Sequence, residues 1–343
     1  MTHHLNTLYV TTDGSYLARE GQAVLVRHEK QVKLRLPIHN IGSIVCLARA
    51  GMSPALMRLC SENGVAVSFC TSHGSFLARV SGFASGNVLL RRQQYRLADK
   101  PEDSGRIARA MVLGKIANSR QVLLRHLRDN ADTTGRAEIG QASDRLAESL
   151  RMLEKIDDLD SVRGIEGDAA NVYFAVFDHL ITANKDDFVF AGRNRRPPMD
   201  RVNALLSFLY AMLAHDARSA CETVGLDPAV GYLHRDRPGR PGLALDLMEE
   251  FRPIMVDRLV LSLINRRQVA AGDLVTAESG AVRMSDPCRK AVLAAYQKRK
   301  QAEIVHPFIG EKVTVGLLVH LQAALLARFI RGDLDAYPAF IWK

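Results

Sequence analysis

The sequence predicts an α+β protein, with a small N-terminal β-rich, sandwich-like domain followed by a larger all-α domain. Three observations carry this. The chain has 343 residues, more than the roughly 100–200 residues of one typical domain. Its first ninety residues hold short apolar runs separated by turn signals. From Ser104 onward, apolar residues recur at helical spacing.

The β-rich part, residues 1–90, begins with Leu8-Tyr9-Val10, the turn signal Asp13-Gly14 and then Tyr16-Leu17. Val24-Leu25-Val26 follows Gly21. Val32-Lys33-Leu34-Arg35-Leu36 alternates apolar and basic residues, the period of a strand with one wet face. Ile44 to Leu47 and Val65 to Phe69 are two more strands, separated by a helix over Ser53 to Asn63 that Gly64 closes. Polar residues and Pro101 make 91–101 the expected linker.

The helical part, 102–343, opens with a stripe of Leu113, Ile116, Leu124 and Leu127. Ala142, Leu146, Leu150 and Leu153 mark a second helix, and Ser161 to Ile181 a third. A basic loop, Arg193 to Pro198, precedes a helix over Asn203 to Ala217. Further helices are expected over Leu243 to Asn265, Ser285 to Ala302 and Val313 to Arg331. Pro253 cannot donate to the carbonyl of Glu249, so the helix should bend there. Asp333 to Lys343 carries no readable pattern.

Hydrophobic residues make up 47% and charged residues 24% of the chain, a globular rather than a disordered composition. The net charge of +9, with clustered arginines, favours a polyanionic partner, nucleic acid above all. Five cysteines, without a C-x-x-C pair, argue against a disulfide framework or a structural zinc. With no apolar leader after Met1 and no long apolar run, a reducing, cytoplasmic setting is expected. Motifs for ATP hydrolysis, dinucleotide binding and zinc proteolysis are absent.

Three places invite chemistry. Glu166 lies between Gly164 and Gly167, either as an approachable carboxylate or as a solvated residue near a helix start. His234 ends the turn-rich run Gly231-Tyr232-Leu233 and precedes Arg235, Arg237 and Arg240. Asp246, Glu249 and Glu250 stand at i, i+3 and i+4 on one helix face, where like charges repel unless a cation neutralises them. One imidazole and two carboxylates form a mixed N/O set suited to Mg²⁺ or Mn²⁺. A basic surround would hold phosphates for phosphodiester chemistry.

At these places the chain resembles the CRISPR-associated adaptation integrase family, Cas-one, historically called an endonuclease. The carrying residues are Gly164 to Ala170 with Tyr173-Phe174, then Pro198, Asn203, Leu206 and Tyr210. Gly225 to Pro228, Gly231 to His234 and Leu243 to Pro253 complete them. The wording around His234 is most similar to the type I-C branch.

The resemblance implies a homodimer and a catalytic helical domain in which Glu166, His234 and Glu249 bind Mg²⁺ or Mn²⁺, with Asp246 a lesser ligand. It implies insertion of short foreign DNA fragments into a CRISPR array, by attack of a 3′-hydroxyl on a phosphodiester. Asn203 and Tyr210 are implied to position DNA, and charge and placement add Arg195 and Arg240. The implied partners are double-stranded DNA, the small dimeric protein Cas-two and a Cas-four-type nuclease. The alternatives are a general metal-dependent nuclease acting on branched DNA in repair and a non-catalytic DNA scaffold.

Overall fold

The computed structural model describes residues 6–80, 82, 88–194 and 197–342. Two compact units divide at Gly86/Asn87, and residues 292–298 of a late helix belong with the first.

The first unit contains β1 (Thr7–Val10), β2 (Tyr16–Glu20), β3 (Ala23–His28), β4 (Gln31–Pro37), β5 (Ser43–Cys46), β6 (Gly51–Met52), α1 (Pro54–Glu62), β7 (Ala66–Cys70) and β8 (Phe76–Val80). They build two four-stranded sheets, ordered β1-β5-β7-β8 and β4-β3-β2-β6. β5 pairs in parallel with both β1 and β7. The β2–β3–β4 meander is antiparallel. Val10, Ile44 and Val67 from one sheet meet Leu17 and Val24 from the other, and Leu56 and Leu59 of α1 join the same core. Ser53 caps α1 by accepting from the Leu56 amide at 3.3 Å. Gly64 follows the helix at φ +67°, a backbone state that disfavours residues with a Cβ.

Two expectations need correction here. The alternation in 32–36 does not bury one face: β4 is an edge strand, with Val32 54% and Leu34 40% exposed. The residues expected to form a linker are mostly helical, because α2 (Val88–Ala98) occupies them. Leu90 and Gln94 are buried, and Gln94 donates to the carbonyls of Asp227 and Val230, both at 2.8 Å. A polar composition therefore concealed a packed helix.

The second unit continues with α3 (Pro101–Asp129), α4 (Arg136–Leu153), α5 (Leu159–Ala175), α6 (Arg201–Thr223), α7 (Gly242–Glu249) and α8 (Arg258–Asn265). A short hairpin, β9 (Leu274–Thr276) and β10 (Val282–Met284), precedes α9 (Asp286–Gln301). A second hairpin, β11 (Glu303–Val305) and β12 (Lys312–Thr314), precedes α10 (Leu318–Arg331). These hairpins qualify the all-helical expectation.

α3 buries Ile107, Met111, Val112, Ile116, Val122 and Leu123, so the expected Leu113–Leu124–Leu127 stripe is only half-buried. A long helix packed against several neighbours does not keep one apolar stripe. At Gly114 an added Cβ would lie 3.1 Å from Glu250 Cγ and 3.2 Å from the Phe340 carbonyl. The expected bend at Pro253 takes the form of a π-helical turn, Arg252–Asp257, between α7 and α8. All five cysteines are buried and none forms a disulfide. No described helix is long and apolar enough to cross a membrane.

Candidate metal centre

Three segments of the second unit bring the site together. α5 is capped by Asp158, which accepts from the Ser161 amide at 2.8 Å, and it presents Glu166 two turns later. An added Cβ at Gly164 or Gly167 would meet nothing within 4 Å, so the flank of Glu166 is open. α7 carries Asp246 and Glu249, both buried. The loop between α6 and α7 delivers His234.

Asp246 is fully enclosed, and it organises that loop. Its carboxylate accepts from the backbone amides of Tyr232, Leu233 and His234 at 2.5, 2.9 and 3.0 Å. It also accepts from His234 Nδ1 at 2.6 Å. A Cβ on Gly231 would fall 2.6 Å from Asp246 Oδ2, so the close wrap requires glycine. With Nδ1 donating, the lone pair of the neutral imidazole sits on Nε2, the atom available to a metal. Arg163 Nε donates to the Leu233 carbonyl at 2.7 Å, tying the His234 loop to α5.

Lys115 of α3 joins the two glutamates. It forms an ion pair with Glu166, and its Nζ lies 2.7 Å from Glu249 Oε2. The buried Oε2 is held by this ion pair. Glu249 Oε1 accepts from Arg252 Nη1 at 2.6 Å. Burial alone would raise the pKa of Glu249, but Arg252, Lys115 and His234 outweigh it and hold the carboxyl below the usual range. Burial likewise opposes the charge of Lys115, and the two glutamates reverse that effect.

A cleft of about 530 Å³ opens beside these residues, lined by Lys115, Glu166, Tyr173, Arg193, Tyr210 and Arg252, among others. The Arg252 guanidinium lies 4.2 Å from the Tyr210 ring centroid, and Arg193 lies 5.2 Å from it. The Tyr210 hydroxyl donates to Asp257, whose pKa burial pushes up to about 6. One buried and one half-buried carboxylate around one ammonium, flanked by Arg193 and Arg252, form an anionic seat for a cation beside a cationic wall for phosphate.

The sequence pattern of the family described as CRISPR associated protein Cas1 matches residues 8–298. The chain belongs to the Cas1 (Cas-one) family. A relative named CRISPR-associated endonuclease Cas1 1, from Chlorobaculum tepidum, is 54% identical over 343 residues, covering 100% of both chains. Another, CRISPR-associated endonuclease Cas1 2 from Rhodospirillum rubrum, is 52% identical and covers 99% of both. The solved structure of a Cas1 protein from Thermotoga maritima shares the fold, with a TM-score of 0.80 at 22% identity, over 97% of this chain and 99% of that one.

In this Cas1 chain the expected ligands are only partly assembled. Glu166 and Glu249 share Lys115, and His234 is near enough for its charge to act on Glu249. Among the described residues, however, no three His, Cys, Asp or Glu side chains converge closely enough to hold an ion. Lys115 supplies the positive charge that the carboxylates need, so they close on it instead of on the imidazole. Asp246 braces the imidazole in this arrangement, its two oxygens accepting from four donors around His234.

The expected DNA contacts fare differently. Asn203 is fully buried. Its side chain accepts from Arg193 and from the Asn194 amide, and donates to the Gly192 carbonyl at 2.8 Å. Its Nδ2 also donates to Asp200 Oδ2 at 2.6 Å, so Asn203 shapes the loop carrying Arg193. Tyr210 is buried too, at the cleft wall. Arg240 is half-buried in the turn after Arg237 and does not line the cleft. Arg195 lies outside the described residues. Sequence reasoning missed Lys115, Arg193 and Arg252. Arg252 was signalled by its place three residues after Glu249, but Lys115, 51 residues before Glu166, had no local signal.

Proposed function

We propose that this Cas1 chain is a divalent-metal-dependent DNA endonuclease and integrase that inserts short DNA fragments into a CRISPR array. The observation that carries the reading is the pair Glu166 and Glu249, drawn from two helices around one positive charge. Glu249 Oε2, buried and already paired with the Lys115 ammonium, sits where a cation is stabilised. The oxygen-rich donor set with one imidazole fits Mg²⁺ or Mn²⁺.

Glu166, Glu249 and Nε2 of His234 would hold the ion. When bound, it stabilises charge on the attacking and leaving oxygens. Asp246 orients the imidazole through Nδ1. Arg252 and Arg193, propped against Tyr210, face the cleft as phosphate holders. Lys115 cedes Glu249 and stays beside Glu166 as a further phosphate contact. In the joining step, a 3′-hydroxyl oxygen attacks phosphorus and the existing P–O3′ bond breaks. The proton of the attacking hydroxyl ends on the departing 3′-oxygen. One phosphodiester is exchanged for another, so no ATP is consumed.

Relatives include fusions named exonuclease Cas4/endonuclease Cas1, such as that of Geobacter sulfurreducens, 33% identical over 98% of this chain. They support a Cas4 (Cas-four) partner, and a neighbouring structure titled as a Cas6-RT-Cas1–Cas2 complex agrees with a Cas2 (Cas-two) partner. The exposed Val32 and Leu34 on edge strand β4 support a homodimer through the first unit.

The test combines the chain, a Cas2 partner, a short duplex and a supercoiled plasmid bearing a repeat, with Mn²⁺, Mg²⁺ or chelator. Metal-dependent insertion at the leader–repeat junction is the expected result. Cutting without joining would favour the branched-DNA nuclease instead.

A further inference from the structure

A second pocket, of about 320 Å³, is lined by Asn118, Arg125, Arg128, Ile254, Arg258 and Trp342, among others. At about 100° per helical residue, Asn118 and Arg125 lie about a quarter turn around α3 from Lys115 and Ser119, which line the carboxylate cleft. The pocket is strongly cationic. Arg125 and Arg128 share one carboxylate, Asp129, at 3.2 Å each. Arg258, which lines the pocket, and Arg299, which adjoins it through Trp342 and Ile254, are half-buried and form no ion pair among the described residues. Their guanidinium groups sit 5.4 and 5.6 Å from the Trp342 ring centroid. Arg299 Nη2 donates to the Ile254 carbonyl at 2.8 Å, while its buried Nε has no partner. The Trp342 amide donates to Asn118 Oδ1 at 2.7 Å, fixing the ring beside the arginines.

Four arginines around the single exposed carboxylate of Asp129 leave half-buried like charges under-compensated, and a doubly hydrogen-bonded anion removes that cost. Burial, together with the neighbouring arginines, lowers the pKa of both Arg258 and Arg299. An aromatic ring beside a guanidinium fork matches a phosphate that carries a sugar or base. We propose that this pocket is a second nucleic-acid site, in which Arg258 and Arg299 grip a backbone phosphate of a DNA strand and Trp342 packs against its nucleoside. The proposal rests on DNA being the substrate, but it does not need the metal centre.

Trp342 is the chain's only tryptophan, so its fluorescence reports this pocket alone. The full chain is titrated in chelator with a short duplex, inorganic phosphate or a mononucleotide, and binding is followed in parallel by anisotropy of a labelled duplex. DNA should change the fluorescence saturably, over the same range as the anisotropy. Arg258→Gln and Arg299→Gln should each weaken DNA binding about tenfold and flatten the salt slope by about one, with Arg258→Lys between them and wild type. Folding of the variants is checked by circular dichroism, and the wild-type titration decides the matter if they misfold. Duplex binding with flat fluorescence overturns the proposal. An equal response to inorganic phosphate or mononucleotide at matched concentration also overturns it, because the pocket would then hold free anions. A fluorescence response without strand joining keeps this site and sinks the integrase reading, and joining with flat fluorescence does the reverse.

Discussion

Glu249 and Glu250 are consecutive residues, both buried, and their surroundings treat them in opposite ways. Glu249 faces Lys115 and Arg252, which keep it ionised. Glu250 faces the C-terminal tail. It accepts from the Tyr337 hydroxyl at 2.5 Å, the Phe340 amide at 2.6 Å and Gln322 Nε2 at 3.1 Å. No cation among the described residues answers it, and burial pushes its pKa up to about 8. The same residue type is thus a charge held ready in one direction and a neutral tether in the other. Side-chain identity does not decide the role, but the sign of the neighbours does.

The sharpest way to break this comparison is substitution at the charged member. Glu249→Ala or Glu166→Ala should lower strand joining by at least about a hundredfold, with the circular dichroism spectrum unchanged. Activity within a few-fold of wild type would remove the carboxylate pair from the mechanism. Asp246→Asn should weaken metal affinity about ten- to a hundredfold, read by Mn²⁺ titration, because His234 loses its acceptor at Nδ1. Unchanged affinity would reduce Asp246 to a loop brace.

Lys115→Met leaves two carboxylates facing each other. Its stability in chelator should drop by about 3 kcal/mol, and added Mn²⁺ should raise its melting temperature more than that of wild type. An equal metal response in both would mean that Lys115 and the ion do not share the seat. The smallest expected effect belongs to Glu250. In the unfolded chain its carboxyl loses a proton near the ordinary 4.5, whereas in the folded protein it does so only near about 8. Between those values the folded state binds more protons, so stability falls as pH rises and levels off above the upper one. Glu250→Gln should flatten this slope in urea melts across that range while leaving joining within a few-fold. A slope that persists would place its origin elsewhere.

The strands β1 to β5 and β7 were legible because short apolar runs between turn residues admit few other readings. β6 and β8 were not, one being two residues long and the other exposed almost throughout. The centres of Glu166, His234 and Glu249 stood out because each sits in a locally unusual segment. Lys115 lay hidden in an ordinary helix, since only tertiary packing brings α3 against α5 and α7. The burial of Asn203 was hidden for a related reason: its partners, Arg193 and Gly192, are supplied by the preceding loop and carry no sequence signal of their own. The tail from Asp333 was opaque because its purpose is to fill sites built elsewhere, on Glu250 and Asn118.

The π-turn at Arg252–Asp257 works as a phase shifter. One extra residue in a helical turn rotates everything after it by about 100° relative to an unbroken α-helix. Glu249 and Arg252 come before or at the start of the shift and serve the carboxylate cleft, whereas Arg258 comes after it and serves the arginine pocket. A single ribbon of chain thereby feeds two faces of α3. Deleting one of residues 253–256 would touch no charged group of either site, yet it would put the two helices back in step and mis-aim one set of side chains.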